Sequence, residues 1–205
     1  MNIIVLGKQG VGKGVSASFL AKKLKVPVIS VGQLLRKKAK KDKKIAKRLE
    51  SGKLVPARQA VRLALARLQK KDCQKGWVLD GFPRDMEQLK LLHGRLRIDL
   101  VLEMHAPDKE LMERIAGRRI CKKFGHVYHL KSLKPKRAGI CDYDGSDLYQ
   151  REDDQPKAIR ERWREFEKET VPVMKFLEKH YNFKRVNANA EIKIVNQRVW
   201  KAVTC

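Results

Sequence analysis

Apolar positions along the 205-residue chain follow two rhythms. Short, nearly continuous runs rich in β-branched residues predict strands at Ile3-Ile4-Val5-Leu6, Val26-Pro27-Val28-Ile29, Trp77-Val78-Leu79, Leu100-Val101-Leu102 and Phe183 to Val186. Continuous rather than alternating apolar character is what parallel strands show when helices cover both faces. Between these runs, spacing near 3.6 predicts helices over Lys13 to Leu24, Gln33 to Glu50, Ala57 to Lys71, Lys109 to Arg118 and Pro156 to Tyr181. In the last of them, Ile159, Trp163, Phe166, Met174, Leu177 and Tyr181 form one stripe, expected to bury against the sheet. The order is that of an α/β fold. Two segments break the alternation and read as insertions. Residues 30 to about 59 read as a charge-dense helix-turn-helix, and 119 to 155 as a Gly-, Pro- and Cys-bearing stretch with short β patterns at 126–129 and 147–149.

Composition sharpens this picture. Hydrophobic residues make up 42%, enough to bury the core of one domain with insertions. No run approaches the roughly 20 apolar residues of a membrane span, and the first residues lack a signal-peptide layout, so the expectation is a cytoplasmic protein without membrane association. Cys73, Cys121, Cys141 and Cys205 are too few and scattered for a disulfide scaffold. With 48 Lys and Arg against 23 Asp and Glu, the net charge of +25 points to polyanionic partners. Residues 36–71 hold 15 of the basic residues against only Asp42 and Glu50, a local +13. Aromatic residues are 6% and no RNA-recognition motif appears, so nucleic-acid contact is expected to be at most non-specific. None of the five histidines has the partner pattern of nucleophilic or acid–base catalysis.

The chemistry-bearing motif is Gly7-Lys8-Gln9-Gly10-Val11-Gly12-Lys13. It stands between the first strand and the first helix, where a phosphate loop belongs. Glycines turn backbone N–H groups inward around an anion, the helix N-terminus adds positive potential, and the lysine reaches the phosphates. A hydroxyl residue should follow the lysine; Gly14 and Val15 stand there instead, which leaves open how Mg²⁺ is held.

Gly12-Lys13-Gly14, followed by Asp80-Gly81-Phe82-Pro83-Arg84 and Gln88, closely resembles adenylate kinase. Further segments match in order: Ile29 to Arg36, Gly52 to Pro56, Arg114 to Arg119, Val127-Tyr128-His129 and Gln150 to Asp154. The resemblance implies a P-loop core (1–29, 60–117 and 156–205) with a five-stranded parallel sheet flanked by helices. To this it adds a helical AMP-binding insertion (30–59) and a small β-rich lid (118–155) over ATP. It implies Mg²⁺-dependent transfer between ATP and AMP giving two ADP, by a monomer acting in nucleotide homeostasis. The alternatives are another nucleoside monophosphate kinase taking UMP, CMP or GMP, or an RNA-associated module with vestigial activity.

Residue by residue, the resemblance implies catalytic roles for Lys13, Asp80, Arg84, Arg118, Arg151 and Arg162, with Asp80 orienting Mg²⁺ through water. For ATP it implies Gly10, Val11, Gly12, Lys13, Gly14, Val15, Arg114, Arg118, Val127, Tyr128 and, by position alone, Ala190. For AMP it implies Val31, Arg36, Lys53, Leu54, Val55, Gly81, Phe82, Pro83, Arg84, Gln88, Arg151 and Arg162. Transfer of this kind needs charge neutralisation and positioning, which explains why the arginines are dispersed over segments that converge on closure.

Departures from the family pattern carry expectations of their own. Val31 stands where threonine is usual, which removes an adenine hydrogen bond; Gln33 stands where the family usually has Asp, and Val15 also lacks a usual hydroxyl. Zinc-bearing members present Cys-x2-Cys twice in the lid. Here the positions are Cys121, Phe124, Cys141 and Asp144, so Cys121, Cys141 and Asp144 are the remnant of a zinc site. The expectation is a metal-free lid with Phe124 packed in its small core, unless His126 bends in to replace the lost ligand.

Overall fold

The computed structural model describes residues 1–204. Its core is a sheet of β1 (Asn2–Leu6), β2 (Val28–Ser30), β3 (Trp77–Asp80), β4 (Leu100–His105) and β8 (Phe183–Asn187), where β5 to β7 are the short strands given below. The order is β2-β3-β1-β4-β8 and every pairing is parallel. The apolar runs explain this. Along β1, Ile4 and Leu6 join one buried cluster with Leu79 and Val101, while Ile3 and Val5 join a second with Val78, Leu100 and Leu102. Period-two geometry thus sends alternate residues into two cores on opposite faces. Each fully buried Ile or Leu contributes roughly 1.5–3 kcal/mol.

Helices α1 (Lys13–Leu24), α4 (Ala57–Leu68), α5 (Met86–Leu92), α6 (Asp108–Ala116), α7 (Pro156–Glu165), α8 (Val171–His180) and α9 (Ile192–Thr204) surround this sheet. Between β2 and α4 lie α2 (Val31–Ala39) and α3 (Lys43–Glu50). A second, antiparallel sheet of β5 (Arg118–Cys121), β6 (Val127–His129) and β7 (Leu148–Tyr149) has the order β6-β5-β7.

Several expected boundaries move. The helix expected over Gln33 to Glu50 breaks after Ala39, because Asp42 caps α3 by accepting from the amides of Lys44 and Ile45. The long helix expected over Pro156 to Tyr181 is interrupted by a π-helical turn at Phe166–Thr170. The α6 helix ends at Ala116, so Arg118 stands on a strand and not at a helix end. Helices α5 and α9 were not expected. None of the helices is long and apolar enough to cross a membrane among the described residues. Cys205 lies outside the described residues, and Cys73, Cys121 and Cys141 are unpaired thiols.

Candidate functional site

Immediately after β1 the chain turns through the glycine loop into α1. Gly10 and Gly12 take φ of 93° and 94°, which side-chain-bearing residues rarely adopt. A Cβ at Gly10 would also meet the Leu111 carbonyl at 2.7 Å. Lys13, the first residue of α1, curls back so that its ammonium donates to the carbonyls of Gly7 at 2.6 Å and Lys8 at 2.9 Å.

The loop opens on a cleft of about 270 Å³ lined by residues Gln9 to Ser16, Asp80, and five arginines: Arg36, Arg84, Arg118, Arg151 and Arg162. These come from α2, the turn after β3, β5, the approach to α7 and α7 itself. Val15, Gln33, Arg114, Val127, Tyr128 and Ala190 border the same cleft. A smaller cavity of about 40 Å³ is bordered by Val31, Lys53, Leu54, Val55, Gly81, Phe82 and Gln88. Both cavities include Gly32, Arg36, Arg84 and Arg162 in their walls, so three guanidiniums stand where the two meet.

The cations strain against burial and one another. Desolvation lowers Lys13 to about 7, with Asp80 pulling the other way and Arg84, Arg162 and Arg118 adding to the fall. Burial similarly brings Arg36 and Arg84 down to about 10. Arg151 falls to about 9 through burial and the charges of Arg36 and Arg118, and its buried Nε has no partner. Asp153 and Asp154 partly offset this field. Asp153 Oδ2 accepts from Arg162 at 2.6 Å and stands 3.8 Å from Arg36; Asp154 holds Arg118. Burial pushes Asp153 up, but Arg162, Arg36, Arg151 and Arg118 outweigh it and keep the carboxylate below its ordinary range.

Two expected residues have a more local job. The Arg114 guanidinium donates to the carbonyls of Ala188 at 2.9 Å and Ala190 at 3.4 Å, fixing the loop between β8 and α9 at the cleft edge. Gln88 is 2% exposed, and its Oε1 accepts from the Arg84 amide at 2.8 Å. Because a backbone N–H can only donate, this fixes the amide's orientation and leaves its NH₂ end for another acceptor. Pro83 is buried and borders neither cavity, and the Phe82 ring is packed in the core.

Sequence reasoning missed other residues that serve the site. Asp153 and Asp154, which pair with its arginines, stood in a quoted motif without a role; two adjacent acids in a strongly basic chain were the available signal. His129 also borders the cleft, its Nδ1 accepting from the amides of Lys131 and Ser132 at 3.1 Å each while its buried Nε2 is unpartnered.

In the small sheet the expectation for Phe124 is overturned. It is 63% exposed and fills no core. His126 bends in instead, and one donor atom each from Cys121, His126, Cys141 and Asp144 lie within 4.8 Å of one another. Two thiols, an imidazole and a carboxylate form a donor set suited to Zn²⁺.

A phosphate loop at the end of β1, opening on a cleft with five converging arginines, defines the class as a P-loop phosphotransferase. The sequence model of the adenylate kinase family matches residues 5–182. The chain is 39% identical over 208 residues to the adenylate kinase of Staphylococcus aureus strain Mu50, covering 97% of each chain. It is 38% identical over 210 residues to that of Kosmotoga olearia, covering 98% of each, and 38% identical over 208 residues to that of Staphylococcus epidermidis, covering 97% of each. The chain belongs to the adenylate kinase family and is a nucleotide-binding kinase.

Proposed function

We propose that this kinase carries out reversible, Mg²⁺-dependent phosphoryl transfer between ATP and AMP, giving two ADP. One observation carries the reading: a large cleft and a smaller cavity meet at Arg36, Arg84 and Arg162, with the phosphate loop on the larger side. That is the arrangement two nucleotides need to present their phosphates to each other in line. ATP takes the larger cleft, its phosphates on the amides of Gly10 to Val15 and on Lys13, beneath residues 118–155 as a lid. AMP takes the smaller cavity within the 30–59 insertion, its phosphate held by Arg36 and Arg84 and its base facing the free NH₂ of Gln88. Arg118, Arg151 and Arg162 neutralise charge on the group in transit.

Mg²⁺ arrives with the nucleotide and, when bound, neutralises charge on its phosphates. Asp80 fits the task of orienting it. The carboxylate acts on Lys13 at close range, and a Cβ at Gly14 would lie 3.8 Å from its Oδ2. With no hydroxyl after Lys13, Asp80 would hold the ion through water. Action as a monomer is part of the same proposal.

The test is ADP formation by the purified protein with ATP and AMP, UMP, CMP or GMP in turn. AMP should be preferred; preference for a pyrimidine nucleotide or no turnover would overturn the reading. Val31 is 2% exposed on the wall of the smaller cavity. Val31→Thr should lower the KM for AMP by about fivefold, matching ~1 kcal/mol for one net hydrogen bond, and leave the KM for ATP unchanged. An unaltered AMP KM would show that position 31 does not read the base.

The basic excess lies elsewhere. Among the described residues, none of the basic side chains from Lys37 to Lys53 forms an ion pair, and most are exposed. They form a solvated face, and contact there with a polyanion would be non-specific and steeply weakened by salt.

A further inference from the structure

Phosphoryl transfer leaves one concentration of charge unused. Lys37, Lys40, Lys41, Lys43, Lys44 and Lys47 are exposed within eleven residues of the insertion. Among the described residues, none of the six borders either cavity or pairs with a carboxylate. We propose that the outer side of α3 docks on the phosphate backbone of a double-helical nucleic acid, without reading its sequence.

Three features of the face support this. First, the cations of α3 share one side. At about 100° per residue, Lys43, Lys44, Lys47 and Arg48 fall within an arc of roughly 140°, and Ile45 and Leu49 fall opposite them. Ile45 is accordingly buried in the core, and Leu49 borders the smaller cavity. The four cations span roughly 8 Å of helix axis, and a duplex carries one phosphate charge per ~1.7 Å of its own axis, so the two charge densities match.

Second, the charges are set against their own helix. Lys43 and Lys44 occupy a first turn without acids, where the positive end of the helix dipole repels them. Lys43 with Lys47, and Lys44 with Arg48, are like charges four residues apart, a spacing that opposes helix formation. Asp42 is occupied in capping the amides of Lys44 and Ile45, and Glu50 forms no ion pair among the described residues. A row of phosphates along this side offsets a repulsion that the chain itself leaves in place.

Third, the face selects among polyanions. No large apolar side chain is exposed between residues 31 and 71, so nothing there inserts into a bilayer as a membrane-bound helix does. No aromatic residue occurs between Phe19 and Trp77, so unpaired bases find no platform to stack on. What remains are flexible ammonium groups, which suit backbone phosphates and not base edges.

A labelled DNA duplex of about 20 base pairs and arbitrary sequence is titrated with the protein from 50 to 200 mM KCl, and binding is read by fluorescence anisotropy. The triple variant Lys43→Gln, Lys44→Gln, Lys47→Gln should bind at least about 30-fold more weakly at 100 mM KCl, with the log–log salt slope shallower by about 3. Arg48 stays in place because its guanidinium also donates to the Leu54 carbonyl at 2.7 Å. The control Lys109→Gln, Lys175→Gln, Lys193→Gln removes the same charge from exposed positions on α6, α8 and α9, and should lose less than about fivefold. Equal losses in the two triple variants would overturn the proposal, because net charge alone would then account for binding. No binding at 50 mM KCl, tighter binding to the matching single strand, or adsorption to phosphatidylserine vesicles without binding to the duplex would also overturn it. In the wild-type protein the duplex should shield Lys43, Lys44 and Lys47 from acetylation more than Lys109, Lys175 and Lys193; equal shielding would count against the face, and this comparison depends on no variant. Turnover with ATP and AMP should be unchanged in both triple variants. Binding is read without turnover, so this proposal and the reading of the reaction fail separately.

Discussion

Replacing Arg162 by alanine is expected to lower kcat about 10³-fold, equivalent to ~4 kcal/mol of transition-state stabilisation. Arg162 sits on α7 and borders both cavities, placing its guanidinium at their junction. There it faces charge that develops only during transfer, so the loss falls on kcat more than on either KM. Arg36 offers the contrast. It too lies at the junction, but on the insertion beside the smaller cavity, and Arg36→Ala should act chiefly by raising the KM for AMP. Arg162→Lys, which keeps the charge but loses the planar fork, should recover only part of the rate. Arg185→Ala is the control, since Arg185 is exposed on β8 and paired with Glu103 and Glu178. Steady-state kinetics against both nucleotides decide the matter. A change in Arg162→Ala confined to KM would move Arg162 from the transfer step to ground-state binding. Removing Arg162 also leaves Asp153 with its longer contact to Arg36, so a melting curve must accompany the kinetics.

The legible parts of this molecule are those whose physics is local. The apolar runs at Ile3 to Leu6 and Leu100 to Leu102 required two covered faces, and the glycine loop required an anion beyond the first strand. The five motif arginines converge on one cleft, as their placement in different segments suggested. What was not legible depends on contacts distant in sequence. Helix α9 carries many β-branched residues and reads poorly as a helix, yet Val195 and Val199 pack into the same core as Ala17 and Leu20 of α1. Helix α5 has seven residues and is set by Asp85, whose side chain accepts from the Gln88 amide. The small antiparallel sheet shows the limit most clearly. The family spacing left Phe124 at the fourth position and suggested that it packs inward, but the tight turn after Cys121 turns Phe124 out and His126 in, and a one-dimensional pattern does not carry that turn. Asp153 and Asp154 gain meaning only once four arginines are seen around them.

Lys13→Met should reduce turnover by at least about 10³-fold and also abolish a proton uptake that accompanies nucleotide binding. The second effect follows from the lysine's burial. In the free protein the ammonium lies among Arg84, Arg118 and Arg162, and desolvation brings it to about 7 against 10.5 in the unfolded chain. Polyphosphate arriving at Lys13 favours the charged form and raises the value again. At pH 8.5 the free protein therefore holds a largely neutral Lys13, and binding ATP draws a proton from solution. At pH 6 the lysine is already charged, and uptake should be small. Calorimetric titrations with ATP in buffers of different ionisation enthalpy measure this directly. Uptake should approach one proton at pH 8.5 in the wild type and vanish in Lys13→Met. Equal uptake at both pH values, or uptake surviving in the variant, would assign the proton to another group. The same shift fixes the sign for stability. Between pH 7 and 10.5 the unfolded chain binds the extra proton, so Lys13 makes the nucleotide-free protein more stable as pH rises through that window and less stable as it falls. ATP should therefore raise the melting temperature more at pH 7 than at pH 8.5, because at the higher pH part of its binding free energy goes into protonating Lys13.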